Sequence, residues 1–340
     1  MHPTIAFDPV VLRANAKAWG DRAGVPLRAV VKADGYGWGF APVVRALEPV
    51  VDGFVVGDLD EFVRVRALTT RSVTILADVP PGELERVLGA GGLANVSSAE
   101  ALTAANIWAR RSGRRARVRI GVRNALGWAG MAPEEVQALG PALAASVLDV
   151  ELWTHITDPA AEAEQRATFE SVRASLGDAG ARVVGTDVES TQPLAGGPSG
   201  GRVARVGIGM FGVRYAGGPV GVRCALSVRA PIVQEVAARG QRVGYGSTRA
   251  PDDGVVAVVR CGYADGFPRG SWPDLGVLAV GMQYTIVTSA AGWPEGVVRL
   301  VGVDTNLDSF AAGAGIDPHE LVVRLGQGRA ERANPPAGAR

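Results

Sequence analysis

Apolar and polar positions repeat in a fixed order along the first two-thirds of the chain. A short apolar run comes first, then a longer stretch with helical spacing, then another apolar run. The first such run, residues 29–31, leads into Lys32 and suits a buried strand. Comparable runs at 53–56, 73–76, 93–96, 117–120, 147–152, 182–184 and 202–206 complete eight predicted strands. Helical patterns fall between them at 41–47, 58–68, 81–88, 98–112, 133–143 and 159–176. A further helix precedes the first strand. Asp8 is its cap, Pro9 takes its first position, and it runs through Trp19. The count is that of a (β/α)8 TIM barrel. A doubly wound open sheet would alternate in the same way. No G-x-G-x-x-G opens a helix after the first strand, which counts against a dinucleotide-binding sheet.

Near residue 218 the texture changes. Tyr215-Ala216-Gly217-Gly218-Pro219 reads as a linker. Beyond it, short apolar or alternating runs at 225–230, 232–237, 255–260 and 278–281 are separated by glycine, proline and aspartate turns, the pattern of a smaller β domain. We therefore expect a barrel over 1–218, a β-strand domain over 219–326 and a disordered Arg-, Pro-, Gly- and Ala-rich tail over 327–340.

Composition narrows the function classes. With 340 residues, 47% of them hydrophobic and 20% charged, the chain is an ordinary globular protein with room for two domains. A net charge of +1 offers no electrostatic argument for nucleic acid or an acidic membrane. Cys224 and Cys261 make neither a disulfide framework nor a metal site, and His2, His155 and His319 are scattered. No basic segment followed by a long apolar core opens the chain, and no apolar run reaches spanning length. The expectation is a soluble cytoplasmic protein acting on a small molecule.

Two stretches carry the candidate chemistry. Lys32-Ala33-Asp34-Gly35-Tyr36-Gly37-Trp38-Gly39 sets a lysine at a strand end beside a glycine-rich turn, where barrel enzymes place their reactive groups. Its amine is a candidate for covalent attachment to a carbonyl. Taken alone, the same residues also suit a lysine reaching for solvent. Cys261-Gly262-Tyr263-Ala264-Asp265-Gly266-Phe267-Pro268-Arg269 is the second stretch, and taken alone it suits a tight Asp-Gly turn.

Together the two stretches resemble the signatures of the alanine racemase family, and the resemblance covers most of residues 3–280. It implies pyridoxal 5'-phosphate (PLP) carried on Lys32, with the Tyr36 hydroxyl at its phosphate. It implies a homodimer in which Tyr263 enters the partner's site as the second catalytic base. Trp153-Thr154-His155 resembles the family's Thr-His, which sets His155 against the cofactor ring. Ala204 to Gly212 resembles Val-Arg-x-Gly-Ile-x-x-Tyr-Gly, so that Arg205 faces the pyridine nitrogen and the amides of Gly207 and Ile208 reach the phosphate. Asp187-Val188-Glu189-Ser190-Thr191 occupies the place of His-x-Ala-Asn-Ser, and Thr191, or Ser190 one residue earlier, supplies a phosphate-binding hydroxyl.

The departures lie on the substrate side. Gly121 stands where the family has a lysine that can be carbamylated, and Trp128 where it has a carboxylate-binding arginine. Arg123, nearby, is a candidate replacement. The resemblance thus implies an amino-acid racemase with a substrate other than alanine. A PLP-dependent decarboxylase or lyase, and a non-catalytic PLP-binding homologue, stay open on the sequence.

Overall fold

The computed structural model describes residues 2–124, 130–156, 159–244, 248–270, 272 and 276–328. Its first strand, β1 (Thr4–Phe7), does not belong to the barrel. Asp8 then caps the following helix, Pro9–Ala23, by accepting from the amides of Val10 and Val11 at 2.7 and 3.2 Å. The eight predicted strands close into one parallel barrel: β2 (Leu27–Val30), β3 (Gly53–Val56), β4 (Ser72–Asp78), β5 (Leu93–Asn95), β6 (Ala116–Gly121), β7 (Leu148–Trp153), β8 (Val183–Glu189) and β9 (Val203–Val206). β2 pairs with β9 to close the ring, with Arg28 opposite Arg205. The open-sheet alternative is thereby excluded.

Local chemistry moved some boundaries. The first barrel strand stops at Val30 rather than running to Lys32, because Val31, at ψ 17°, already leaves the extended region. The helix expected over 133–143 is two short ones, Pro133–Ala138 and Gly140–Ala144. Pro141 has no N–H to continue the first helix, so a new one starts around it.

The second domain is built on β10 (Leu226–Ala237), a 12-residue strand shared between neighbours. β1 pairs antiparallel with its first half, bringing the start of the chain into this sheet. A small ribbon follows, β11 (Arg242–Val243) with β12 (Thr248–Arg249). β13 (Val255–Val259), β14 (Val277–Val280) and β15 (Thr285–Ser289) extend the sheet, and β16 (Val297–Val301) pairs with β10.

Two helices close this domain, where the pattern of strands alone had suggested only β structure: Leu307–Ala314 and Pro318–Gln327. Asn306 and Asp317 cap them, and Leu307, Phe310, Leu321, Val322 and Leu325 bury their apolar faces. Gln327 is the last helical residue, and positions 329–340 of the expected tail lie outside the described residues.

The final helix returns to the barrel and packs on the loop after β2. The Trp38 indole donates to the Val322 carbonyl at 3.2 Å. A Cβ on Gly37 would sit 2.8 Å from the Val323 carbonyl oxygen, and one on Gly326 would sit 2.9 Å from that of Tyr36. Glycine on both sides is what allows helix and loop this approach.

The barrel interior departs from the usual layers of branched apolar side chains. Arg28, Arg119, Glu151, Asp187 and Arg205, from five different strands, are all buried there. Glu151 accepts both Arg28 Nη atoms, at 2.5 and 2.7 Å, and Arg119 Nε at 2.9 Å. Asp187 accepts Arg119 Nη2 at 2.5 Å and Arg205 Nε at 2.6 Å. Burial opposes the charge on Glu151, yet its arginine partners hold its pKa down to about 2.

Candidate active site

Immediately after β2 the chain makes a rare turn. Ala33, Asp34, Gly35 and Tyr36 all take left-handed backbone angles, with φ of 56°, 54°, 66° and 57°. Three of the four are not glycine, so the turn is held under strain. Glu61 holds it by accepting Ala33 N–H at 2.7 Å while its other oxygen accepts Gly57 N–H at 2.7 Å. Asp34 adds bonds from Phe40 N–H at 3.2 Å and Arg64 Nη2 at 2.9 Å. The turn brings Lys32 and Tyr36 to the wall of one cavity.

That cavity has a volume of about 190 Å³ and opens at the carboxyl ends of the barrel strands. Of the residues singled out in the sequence, Lys32, Tyr36, His155, Thr191, Arg205, Gly207 and Ile208 all line it. Ser190 lines it too, so both candidate hydroxyls are present. Thr191 Oγ1 accepts the Gly207 N–H at 3.4 Å. Tyr36 is buried against Gly207 so closely that a Cβ there would fall 2.0 Å from the phenol oxygen. Burial pushes the Tyr36 hydroxyl above its ordinary range, which keeps it a proton-bearing donor.

Arg205 donates Nε to Asp187 and Nη2 to the Thr154 carbonyl at 2.8 Å. His155 sits beside it. Burial, then the positive charges of Arg205, Lys32 and His319, bring the His155 pKa down to about 3. Its imidazole is therefore neutral at physiological pH and can only donate from one nitrogen and accept at the other.

Other residues lie elsewhere. Tyr263 starts a short 3-10 turn, Tyr263–Asp265, and lines a separate open hollow of about 480 Å³ with Glu320 and Arg324. The Arg269 guanidinium carbon lies 5.5 Å from the centre of its ring. Arg123 is exposed, and its Nε donates to the Gly130 carbonyl at 3.1 Å rather than facing the cavity. Trp128 lies outside the described residues.

Four contributors were not singled out from sequence. His319, from the final helix, lines the cavity, and its ring centre is 6.3 Å from that of Tyr36. Tyr215 lines it as well, its pKa pushed up to about 12 by burial first and by Asp317 and Asp308 next. Asp187 and Trp153 stand behind Arg205. An Asp-Pro helix start at 317–318, the same signal as at 8–9, could have found the helix that carries His319. Among the described residues, no group of three or more His, Cys, Asp or Glu side chains could hold a metal ion, and no helix is long and apolar enough to cross a membrane.

Residues 8–215 match the family description "Alanine racemase, N-terminal domain", and residues 225–333 match "Alanine racemase, C-terminal domain". The chain belongs to the alanine racemase family. An alanine racemase of Acidiphilium cryptum is 30% identical, with 96% of this chain and 97% of that protein aligned. The solved alanine racemase of Streptomyces coelicolor A3(2) superposes with a TM-score of 0.79 at 25% identity, covering 95% of this chain and 96% of that one. A Bartonella henselae alanine racemase structure, described with covalently bound pyridoxal phosphate, shares the fold with a TM-score of 0.78 at 20% identity, covering 96% and 97%. Family membership makes this chain an isomerase of the racemase class. The alanine racemase family is PLP-dependent.

The depressed His155 pKa has a consequence for stability. The unfolded histidine titrates near 6.5 and the folded one near 3. Above 6.5 neither form is charged and the fold is not penalised. As pH falls below 6.5 the unfolded chain takes up the proton first, so stability is lost progressively toward pH 3. The urea midpoint of the cofactor-free protein should therefore drop between about pH 7 and about pH 5, and His155→Gln should flatten that drop. Equal pH dependence in both proteins would contradict the assignment.

Proposed function

We propose that this chain is a PLP-dependent amino-acid racemase, active as a homodimer, whose substrate is an amino acid larger than alanine. The observation that carries the reading is the convergence of Lys32, Tyr36, Thr191, Arg205 and Gly207 on one cavity at the carboxyl ends of the strands. The residues fit the cofactor. Tyr36, Ser190 and Thr191 bring hydroxyls and Gly207 an N–H to one end of the cavity, and the missing Cβ at Gly207 is what lets the Tyr36 hydroxyl in; together they are a donor set for a phosphate. Lys32 supplies the amine for attachment, and Arg205 a cationic donor for the ring.

Bound there, PLP supplies an electron sink that makes the Cα–H of an attached amino acid acidic. Lys32 Nζ takes or returns that proton on one face of Cα. Tyr263 Oη of a second copy serves the opposite face, since within one chain Tyr263 lines a different hollow. Neutral His155 and buried Tyr36 orient without competing for the proton. Arg205, fixed from behind by Asp187 and Thr154, holds the ring.

The substrate proposal rests on charge. Among the described residues lining the cavity, the lysine and arginine side chains are Lys32 and Arg205, and the proposed cofactor engages both. Arg123 is turned to Gly130, and Trp128 stands where the family carries the carboxylate-binding arginine. Loss of a charge-assisted hydrogen bond costs roughly 1.5–3 kcal/mol. Alanine depends on its carboxylate for orientation and suffers most, whereas a larger side chain regains energy by packing on an indole.

Three outcomes are expected. Borohydride should fix the cofactor on the unmodified protein and fail to do so on Lys32→Ala; full labelling of the variant would refute Lys32 as the attachment point. Mixing inactive Lys32→Ala with inactive Tyr263→Phe should restore activity, because one of the two sites in each hybrid dimer holds both bases. No recovery after proven subunit exchange would rule out sharing of the site. Finally, kcat/KM for alanine should fall below about 10^4 M⁻¹s⁻¹. Trp128→Arg should raise it relative to larger amino acids. Alanine turnover above that range by the unmodified protein would refute the substrate proposal.

A further inference from the structure

The barrel's buried charges end on one side chain that faces the cavity. Arg119, Glu151 and Asp187 have no exposed side-chain surface, and Arg28 and Arg205 almost none. Strand register builds the cluster: Arg119 lies opposite Glu151, and Trp153 opposite Asp187. Three buried guanidiniums meet two buried carboxylates, and the half-exposed Arg117 adds a fourth at 3.7 Å from Glu151, so positive charge is in excess. Arg119 bears the misfit. Burial lowers its pKa to about 10 despite Asp187 and Glu151, and its Nη1 has no hydrogen-bond partner.

Trp153 completes the arrangement. Its ring centre lies 4.8 Å from the Arg119 guanidinium carbon and 5.3 Å from that of Arg205. Its Nε1 donates to Asn95 Oδ1 at 2.6 Å, which fixes the ring plane. It lies so close over Gly121 that a Cβ there would meet ring atoms at 3.0 Å. The indole therefore fills the space above the position where a lysine was expected from the family pattern.

We propose that Asp187, Arg119 and Trp153 are positioning residues that fix the donor Arg205 presents to the cavity and tune the charge state of the cofactor bound there. The inference rests on the PLP reading given above. Arg205 is constrained by Asp187 on Nε, by the Thr154 carbonyl on Nη2 and by the indole near its carbon. Stability alone is a poor reason for such a cluster, because buried ion pairs seldom outperform apolar packing of the same volume. Arg205 is also the cluster member that lines the cavity, so changes in the cluster's charge reach the cofactor through it.

The test uses the holoenzyme and the pH at which the absorbance of the lysine-bound cofactor titrates. Protonation of that linkage at Lys32 Nζ adds positive charge to the cavity. Asp187→Asn removes a negative charge behind it and should lower the midpoint by about half a pH unit or more. Arg119→Met removes a buried positive charge, leaves the two buried arginines Arg28 and Arg205 with the two buried carboxylates and Arg117 at the exposed edge of Glu151, and should raise it. Arg119→Lys keeps the charge and should return the midpoint toward that of the unmodified protein. In Asp187→Asn, kcat should fall about tenfold with KM changed less than about threefold.

A purely structural cluster would not give shifts of opposite sign. Equal midpoints in the unmodified protein, Asp187→Asn and Arg119→Met would overturn the inference. If Asp187→Asn does not fold, Arg119→Met decides alone, and an unchanged or lowered midpoint overturns it. Failure of borohydride to fix cofactor on the unmodified protein would instead overturn the PLP reading on which it stands.

Discussion

Four successive left-handed residues, Ala33 to Tyr36, are the constraint on which the candidate site depends. An extended continuation of β2 would keep Lys32 and Tyr36 on one face but about 13 Å apart along the strand, too far to share one small cavity. The left-handed turn instead wraps the chain so that both side chains reach one cavity. Each non-glycine residue held there costs on the order of 1–3 kcal/mol. No local hydrogen bond offsets three such residues by itself. The offset comes from several directions: the Glu61 carboxylate, burial of the Tyr36 ring, and the final helix seated on Gly37 and Trp38. The second domain thus supports the turn from outside while the barrel supports it from within. That helix also delivers His319 to the cavity, so the same packing both stabilises the turn and completes the wall.

A second constraint is the charge stored inside the barrel. An apolar interior tolerates modest changes in side-chain volume, whereas a paired ionic interior fails when any one partner is lost. Such an interior is worth keeping where orientation matters more than stability. Here the chain of contacts runs from Arg28 through Glu151, Arg119 and Asp187 to Arg205. Rigidity at Arg205 is the product. The neutral His155 beside it belongs to the same electrostatic field, since nearby cations add to burial in disfavouring a further positive charge.

The barrel was legible because each strand is a short apolar run bounded by turn residues, and all eight runs reappear as paired strands. Lys32, Tyr36, His155, Thr191, Arg205, Gly207 and Ile208 were legible through their motifs, each ending or following a strand. The strand β1 was not, because the four residues between Pro3 and the Asp8-Pro9 helix start carry too little pattern of their own. The left-handed turn was read only as a need for glycine, though Ala33, Asp34 and Tyr36 share its conformation. The ionic cluster was illegible for a different reason. Its members lie on five strands, and Arg28 meets its partners only once β2 closes on β9. Spacing along the chain says nothing about a closure that joins the first barrel strand to the last.

The same closure explains why arginine near the site does not by itself mean a substrate carboxylate is bound there. Arg28, Arg119 and Arg205 each sit on a barrel strand, and each would read as a binder if it reached the mouth. Inward registry sends the first two into the carboxylates of β7 and β8, and half-neutralises the third through Asp187. Arg123, beyond the end of β6, leaves the interior altogether and bonds to Gly130. Over Gly121, where a long polar side chain was expected, the Trp153 indole closes the space. The barrel's positive charge is therefore committed behind the cavity, to holding one donor in place, rather than spread around the cavity to collect anions. Under the proposed function, recognition of a substrate would then rely on shape and apolar contact more than on the pairing of charges.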